Sequence, residues 1–521
     1  MPMRRLLLFI CLLCGQALLH LHAQSINLSA SKLKGIKRGG RDIQHLEGNV
    51  RFEQNGNTVL CDMADYDVQD EELTGIGNVQ IQSSEGVRIT GNSLIYSNKT
   101  KTARVSGNVK LTDRDMTLTT PWINYNTDTR IGYYGAGGRI VDNEMVLTSG
   151  SGTYNPNLRM LYFRKNVFLD HPEYKIKADT LQYNTETGTS YFFTYTEIES
   201  DSSTIICNYG EYNQRTGKSY FTKNAAILSK DNIIRADTLS YNRNTGIGEA
   251  FGRLWVKDTL QRITIFGNKG YYDRKTRYTR VTGAPLARQY EKNGDSLMLK
   301  ADTFVHTVDS IQNRRTLIAF HRVALWRVDF SGTADSMSFV SSDSLFRLFG
   351  SPVLWNNNNR LSADTMRMYM RNSKISHMQL RGNSFVSTEE EEGLYSQISG
   401  TDMNNYFNQE NKLKLVHVLG AGKSIYYIKE KDSAVTSANY VVCSSMRIQL
   451  DSNKVKAVRF YDKPEGTLYP LDELPADKKS LTGFMWDISN RPISEIFTPK
   501  FQIPSLPQKR AETSPNRKRK S

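Results

Sequence analysis

"ADTLQYN", residues 178–184, and "ADTLSYN", residues 236–242, are near-copies fifty-eight residues apart. Their tyrosines belong to a longer series: Tyr66, Tyr96, Tyr125, Tyr154, Tyr183, Tyr212, Tyr241 and Tyr272, spaced by 30, 29, 29, 29, 29, 29 and 31 residues. A fixed period in this range marks an array of stacked structural units rather than one closed core. Five residues before each tyrosine stands a small residue, from Cys61 and Gly91 to Ala236 and Gly267. The slot recurs with wider spacing at Ala301, Ala334, Ala363, Thr401 and Cys443. Thirteen modules result, the last five looser.

A second marker is "GNV", at 48–50, 77–79 and 107–109, with weaker echoes ending at Val167 and Ala225. Between markers, apolar residues alternate with a period of two, as Val79 and Ile81 do in "NVQIQ", which is strand patterning. In "VRITGNSLIYS" (87–97) Val87, Ile89, Gly91 and Ser93 share one face while Leu94 and Tyr96 share the other, so a bulge or bend is expected near Gly91 or Asn92. Each module reads as about three short strands joined by turns such as "NKTK" and "NTETG". A unit of this size cannot bury its own apolar face, so the modules must stack. Three strands shared between two facing sheets advance each module by roughly 7 Å, and thirteen modules by on the order of 90 Å. The expected fold is all-β, an elongated solenoid of about thirteen such repeats.

The N-terminus has a basic start at Arg4 and Arg5, an apolar run from Leu6 to Leu13, and Ala23 before Gln24. That is the layout of a secretory signal peptide, and the apolar run is short for a membrane span. Leu13 before Cys14 disfavours a lipid anchor. The formal net charge of +15 is concentrated at the ends, with +6 in residues 500–521 and +2 in the leader. The body keeps about +7, too little to read as a nucleic-acid-binding surface. Cys61, Cys207 and Cys443 all occupy the small-residue slot, several modules apart, and read as buried small hydrophobes rather than disulfide partners.

After the small slot comes Asp or Asn in ten of the thirteen modules, Asp179 and Asp237 among them. Such a ladder invites a reading as calcium ligands or paired catalytic carboxylates. A residue that recurs in every unit is better explained as an Asx cap on a turn or bulge that bonds its own backbone. The eight histidines show no metal-ligand spacing, and the chain has no glycine-rich phosphate loop, G-x-S-x-G or CxxC. No catalytic role, metal or cofactor is expected.

From Leu46 to Gln82, "LEGNVRFEQNGNTVLCDMADYDVQDEELTGIGNVQIQ", the sequence resembles the OstA/LptA-like family of periplasmic lipopolysaccharide-transport proteins. The recurring phrase is G-N-V, a polar turn, a small residue with Asx, an aromatic and a turn, then G-x-G-N-V. The likeness is clearest from Leu46 to Thr120 and persists to about Tyr272. "VKAVRFYDKPEGTLYP" and "GFMWDISNRP" are similar to the closing strand and tail of a long OstA-like subgroup.

The resemblance implies a twisted β-jelly-roll, or β-taco, whose groove shields lipid A acyl chains between the inner and outer membranes. It also implies head-to-tail partners of the same transport system, joined through exposed edge strands, with an outer-membrane translocon among them. The domains expected are a signal peptide (1–23), a lead-in (24–45), the OstA/LptA-like β-repeat domain (46–290), a looser continuation or second jelly-roll (291–455), closing strands and tail (456–498), and a basic disordered tail (499–521). The groove candidates are Val79, Ile81, Ile89, Leu94, Val109, Leu111, Leu118 and Ile123, placed inward by alternation. A one-residue slip would invert them. The expected location is the periplasm, at or near the outer membrane. The rival readings are a structural or adhesive β-solenoid with a filled core, and a carbohydrate-active β-helix enzyme.

Overall fold

The computed structural model describes residues 27–508 apart from 55, 85, 143, 261, 291–295, 310, 313, 341, 357, 373, 430–433 and 452–453. The expected signal peptide and the extreme basic tail lie outside the described residues. The chain is nearly all β, 72% strand against 2% helix. It divides into two compact units, with the boundary at Thr187/Gly188.

In the first unit the strands Arg41–Gln54, Asn57–Asp67, Glu72–Gln82, Arg88–Ser97, Thr102–Asp113 and Met116–Asn126 each pair antiparallel with the next. A module therefore contributes two long bent strands rather than three short ones, because the chain passes through the bend without breaking. The bend is a β-bulge made by the marker itself. The register shifts between Glu47 and Val50, between Ile76 and Val79, and between Ser106 and Val109, at the Gly-Asn pair each time. Both residues of the pair are left-handed, Gly77 at φ 78° and Asn78 at φ 44°. Two residues thus oppose one: Asp62 at the first bulge, Asn92 at the second and Pro121 at the third.

That arrangement corrects two expectations. The extra residues sit in the "GNV" strand, with Asn92 the single residue across from them, rather than at Gly91–Asn92 itself. The Asx side chain also braces the neighbouring bulge rather than its own backbone, since Asn78 Nδ2 donates to Asp62 Oδ2 at 2.9 Å. Contact is close enough to exclude a side chain at the first bulge position, where a Cβ on Gly77 would lie 2.3 Å from Asp62 Oδ2. In the second unit the bulge persists where the glycine or asparagine is lost, as at Lys223–Asn224, Gly252–Arg253 and His321–Arg322, all left-handed. There a charge-assisted bond takes over, with Arg253 Nε donating to Asp237 Oδ1 at 2.8 Å and Arg322 Nη2 to Asp302 Oδ1 at 2.7 Å.

Each bulge divides its strand into halves that serve two facing layers. One, the valine layer, holds 50–54, 57–61, 79–82, 88–91, 109–113 and 116–120. The other, the tyrosine layer, holds 41–47, 63–67, 72–76, 93–97, 102–106 and 122–126. Phe52 of the first meets Tyr96 of the second edge-on at 5.5 Å between centroids. Leu94 and Tyr96, expected to face away from Ile89, point into the same interior because the parity switch coincides with the change of layer. The small slot lies where the layers converge, since a Cβ on Gly91 would stand 2.4 Å from Val105 Cγ1. Cys61 and Cys207 share that slot as free, buried thiols, and burial pushes them up to about 11 and about 12.

The second unit continues the paired bent strands through Lys374–Glu391, Leu394–Phe407, Leu413–Lys429 and Val435–Asp451, ending in Lys454–Tyr461 and Glu465–Pro470. Residues 471–508 then run back over the outward face of its valine layer as a strap with only short 3-10 turns. Leu474 and Leu481 pack with Phe385, Ile425 and Tyr427. Further along, Phe497 is fully buried among Trp255, Phe266, Leu286 and Ala324. Trp255 alternates with the inward Leu254, so its ring points outward and is buried by the strap. Gln397 accepts from Leu481 N at 2.8 Å, and Arg235 donates to Pro504 O at 3.3 Å.

The bulge yields a direct expectation. Gly77→Val places a branched side chain at a positive φ and against Asp62, and should cost roughly 2 kcal/mol or more of the first unit's stability. Denaturant unfolding followed by circular dichroism checks it; an unchanged midpoint would contradict the role given to the bulge.

Candidate functional site

The interior of the first unit is a single cross-strand row. Phe52, Val59, Ile81, Ile89, Leu111, Leu118, Ile140, Leu147, Leu169 and Ile176 are successive ladder partners. All eight groove candidates lie in this interior at 0–2% exposure. Val79, Ile81, Ile89, Val109, Leu111 and Leu118 come from the valine layer, and Leu94 and Ile123 from the tyrosine layer. The structure brings them together, but in a filled core rather than an open channel. Beside Phe52, Val59, Ile81 and Tyr96 the remaining space is about 10 Å³, no more than one water molecule.

Tyrosines seal this interior by reaching from one layer to the other. Tyr96 Oη donates to Gln54 Oε1 at 3.0 Å, Tyr134 Oη bonds Ser149 Oγ at 2.6 Å, and Tyr154 Oη donates to Asp113. Burial is the main reason the Tyr134 phenol is pushed up to about 12, so it stays protonated and able to donate. The periodic tyrosine is therefore more than a module marker, since at Tyr96 and Tyr154 it clasps the two layers together, as Tyr134 outside the series also does.

In the second unit the same row recurs with the same chemistry and a different exposure. Ile205, Ile227, Ile234, Val256 and Ile265 are successive ladder partners. They occupy the positions that Ile81 and Ile89 occupy in the first unit, yet all five are partly exposed. The tyrosine positions change with them. Tyr272 is 42% exposed, against 4% for Tyr96, and among the described residues neither Tyr241 nor Tyr272 makes a side-chain hydrogen bond across the layers. Below the row, Phe221, Ala225, Ala236, Leu239 and Leu254 remain buried and form a closed floor. The five apolar side chains thus reach solvent above a buried floor, with the partly exposed Tyr241 and the exposed Tyr272 on the facing layer.

These five residues were not among the sequence candidates. The signal that could have found them is the same alternation as before, but alternation does not report how far apart two layers stand. Of the two acidic positions weighed as catalytic, Asp237 braces the bulge at Arg253, and Asp179 lies in the first unit. Among the described residues no three His, Cys, Asp or Glu side chains group as metal ligands.

The clasps are separable by stability. Tyr96→Phe and Tyr134→Phe should each cost about 1 kcal/mol, the usual worth of a buried hydrogen bond. Tyr241→Phe and Tyr272→Phe should stay within about 0.5 kcal/mol of the parent. Urea unfolding of the four variants distinguishes them.

A family model described as OstA-like protein matches residues 24–179. No curated protein matches the chain. Among solved structures, LptH, the LptA-homologous periplasmic component of the lipopolysaccharide transport device of Pseudomonas aeruginosa, is 13% identical. That match covers 21% of this chain and 74% of LptH, with a TM-score of 0.18. The extracellular domain of a hybrid two-component system from B. thetaiotaomicron is 9% identical, covering 84% of this chain and 91% of its own, with a TM-score of 0.11. At those scores neither structural match bears on function. Residues 24–179 match an OstA-like domain, and over that stretch the chain is similar to the OstA/LptA-like family.

Proposed function

We propose that the chain is a periplasmic lipopolysaccharide-binding transport protein that shields acyl chains in the cleft of its second unit. The observation that carries this reading is the partly exposed row Ile205, Ile227, Ile234, Val256 and Ile265, with Tyr241 and Tyr272 on the facing layer. Acyl chains laid along such a row lose water from both surfaces, at about 0.8 kcal/mol per buried methylene. Affinity at that scale needs no covalent chemistry, and the bound molecule moves by exchanging one apolar neighbour for the next. Direction comes from partners that load one end and unload the other.

An edge suited to such partners stands at the start of the described chain. The strand Lys32–Arg38 pairs with Arg41–Glu47 on one side and is exposed along most of its length. Its Lys32, Lys34, Lys37 and Arg38 discourage random pairing, while its other edge, unpaired among the described residues, can take up a partner strand. The basic side chains also suit the anionic groups of the proposed cargo.

In-cell photocrosslinking checks the reading. A photoreactive residue at Ile227 or Ile234 is expected to give a lipopolysaccharide adduct, while one at Lys257, on the outward face, gives none. Equal labelling at all three positions, or none in an exported and folded protein, would sink the proposal and favour a structural β-solenoid.

A further inference from the structure

On the outward face of the tyrosine layer in the second unit lies a concave depression of about 690 Å³. Ser219 and Tyr241 also border it, so at Tyr241 it adjoins the rim of the proposed apolar cleft, but its floor lies on the opposite face. Its floor is two adjacent cross-strand rows. The first runs Tyr191, Glu211, Tyr220, Ser240, Glu249 and the second Thr189, Asn213, Lys218, Asn242, Ile247, each residue the ladder partner of the next. The outward direction follows from alternation, since Phe221 and Leu239, the neighbours of Tyr220 and Ser240, are buried inward.

The two rows divide the polar work differently. The asparagines of the second row are spent on turns: Asn213 Oδ1 accepts from Thr216 N at 2.8 Å, and Asn242 Oδ1 from Asn244 N at 3.0 Å. In the first row the side chains of Glu211, Tyr220, Ser240 and Glu249 make no hydrogen bond or ion pair among the described residues. Glu211 sits between two tyrosines on adjacent strands, with Tyr220 46% exposed.

We infer that this depression binds a hydroxyl-rich oligosaccharide that carries no phosphate at the contact. Tyrosine rings present flat apolar faces to the C–H side of a sugar ring, while carboxylates accept hydrogen bonds from its hydroxyl groups. Two carboxylates against a single lysine repel phosphate and sulfate, and a polar floor gives an acyl chain nothing to bury against. The volume falls within the range of small-ligand sites. Tyr191 and Tyr220, separated by two strand spacings, or roughly 10 Å, suit an extended chain of several sugars better than a single one. Glu211 and Glu249 carry no catalytic role here, since they stand three strands apart on an open face.

The floor residues tested, Glu211 and Tyr220, face away from the proposed lipid row, so the two readings can fail independently. Two sources share this chemistry: the lipid-free polysaccharide of lipopolysaccharide, and glycans such as the amino-sugar chains of the cell wall. The test titrates the full chain by calorimetry with three probes, namely polysaccharide freed from lipid A, chitohexaose and maltohexaose. At least one is expected to bind, with little change between low and high salt. Tyr220→Ala should weaken binding about tenfold, and Glu211→Gln should weaken it less. Both positions are surface-exposed or partly so, and circular dichroism verifies the fold of each variant. Which probe binds identifies the source. If none of the three binds, or if a lysine-rich peptide binds instead with steep salt dependence and complete loss in Glu211→Gln, the saccharide assignment is overturned.

Discussion

Two consecutive left-handed residues set against one Asx side chain govern this architecture. Without that bulge, a strand of eleven residues would keep one face inward along its whole length and could line only one sheet. With it, the strand changes layer while its side chains go on pointing into one interior. Ile89, Leu94 and Tyr96 of a single strand are all buried for this reason, although alternation alone would set the last two on the opposite face from the first. Glycine supplies the first left-handed position without strain, and asparagine tolerates the second better than most residues. Where the pair becomes Gly252–Arg253 or His321–Arg322, an arginine bond to the facing aspartate does the same work.

The facing layers create an interior, and their spacing decides its character. In the first unit tyrosine hydroxyls span the gap to Gln54, Ser149 and Asp113, and the isoleucines and leucines between them are sealed. In the second, from Ile205 to Ile265, the spanning bonds of Tyr241 and Tyr272 are missing and the row admits solvent. Apolar chemistry is common to both stretches. What differs is exposure: among the described residues the phenols of Tyr96, Tyr134 and Tyr154 reach a partner across the layers and those of Tyr241 and Tyr272 do not. The strap of residues 471–508 adds a third layer on the opposite, outward face, where Phe497 covers Trp255 and Phe266.

Much of this was legible in the sequence because it repeats. The tyrosine period, the small slot and the inward alternation of Val79, Ile81 and Ile89 each follow from requirements that every module shares. That Leu94 and Ile89 face one interior despite their opposite parity was not legible, because a period-two pattern cannot show that a bulge has moved the strand to another layer. Ile227 and Ile234 went unnoticed because Ile81 and Ile89 look the same, and exposure depends on layer separation rather than residue type. The strap's covering role was hidden for a third reason. Residues 471–508 lack any period, and their anchors Leu474, Leu481 and Phe497 find partners only across long sequence separations.

The account stands on the second unit's layers being free to part while the first unit's are clasped. Paired spin labels on the outward faces measure this directly, one pair at Lys257 and Tyr220 in the second unit and another at Gln80 and Ile95 in the first. On adding lipopolysaccharide, the distance distribution of the first-named pair should shift and that of the second should stay fixed. A shift at Gln80 and Ile95, or no shift at either pair under conditions where lipopolysaccharide binds, would contradict it.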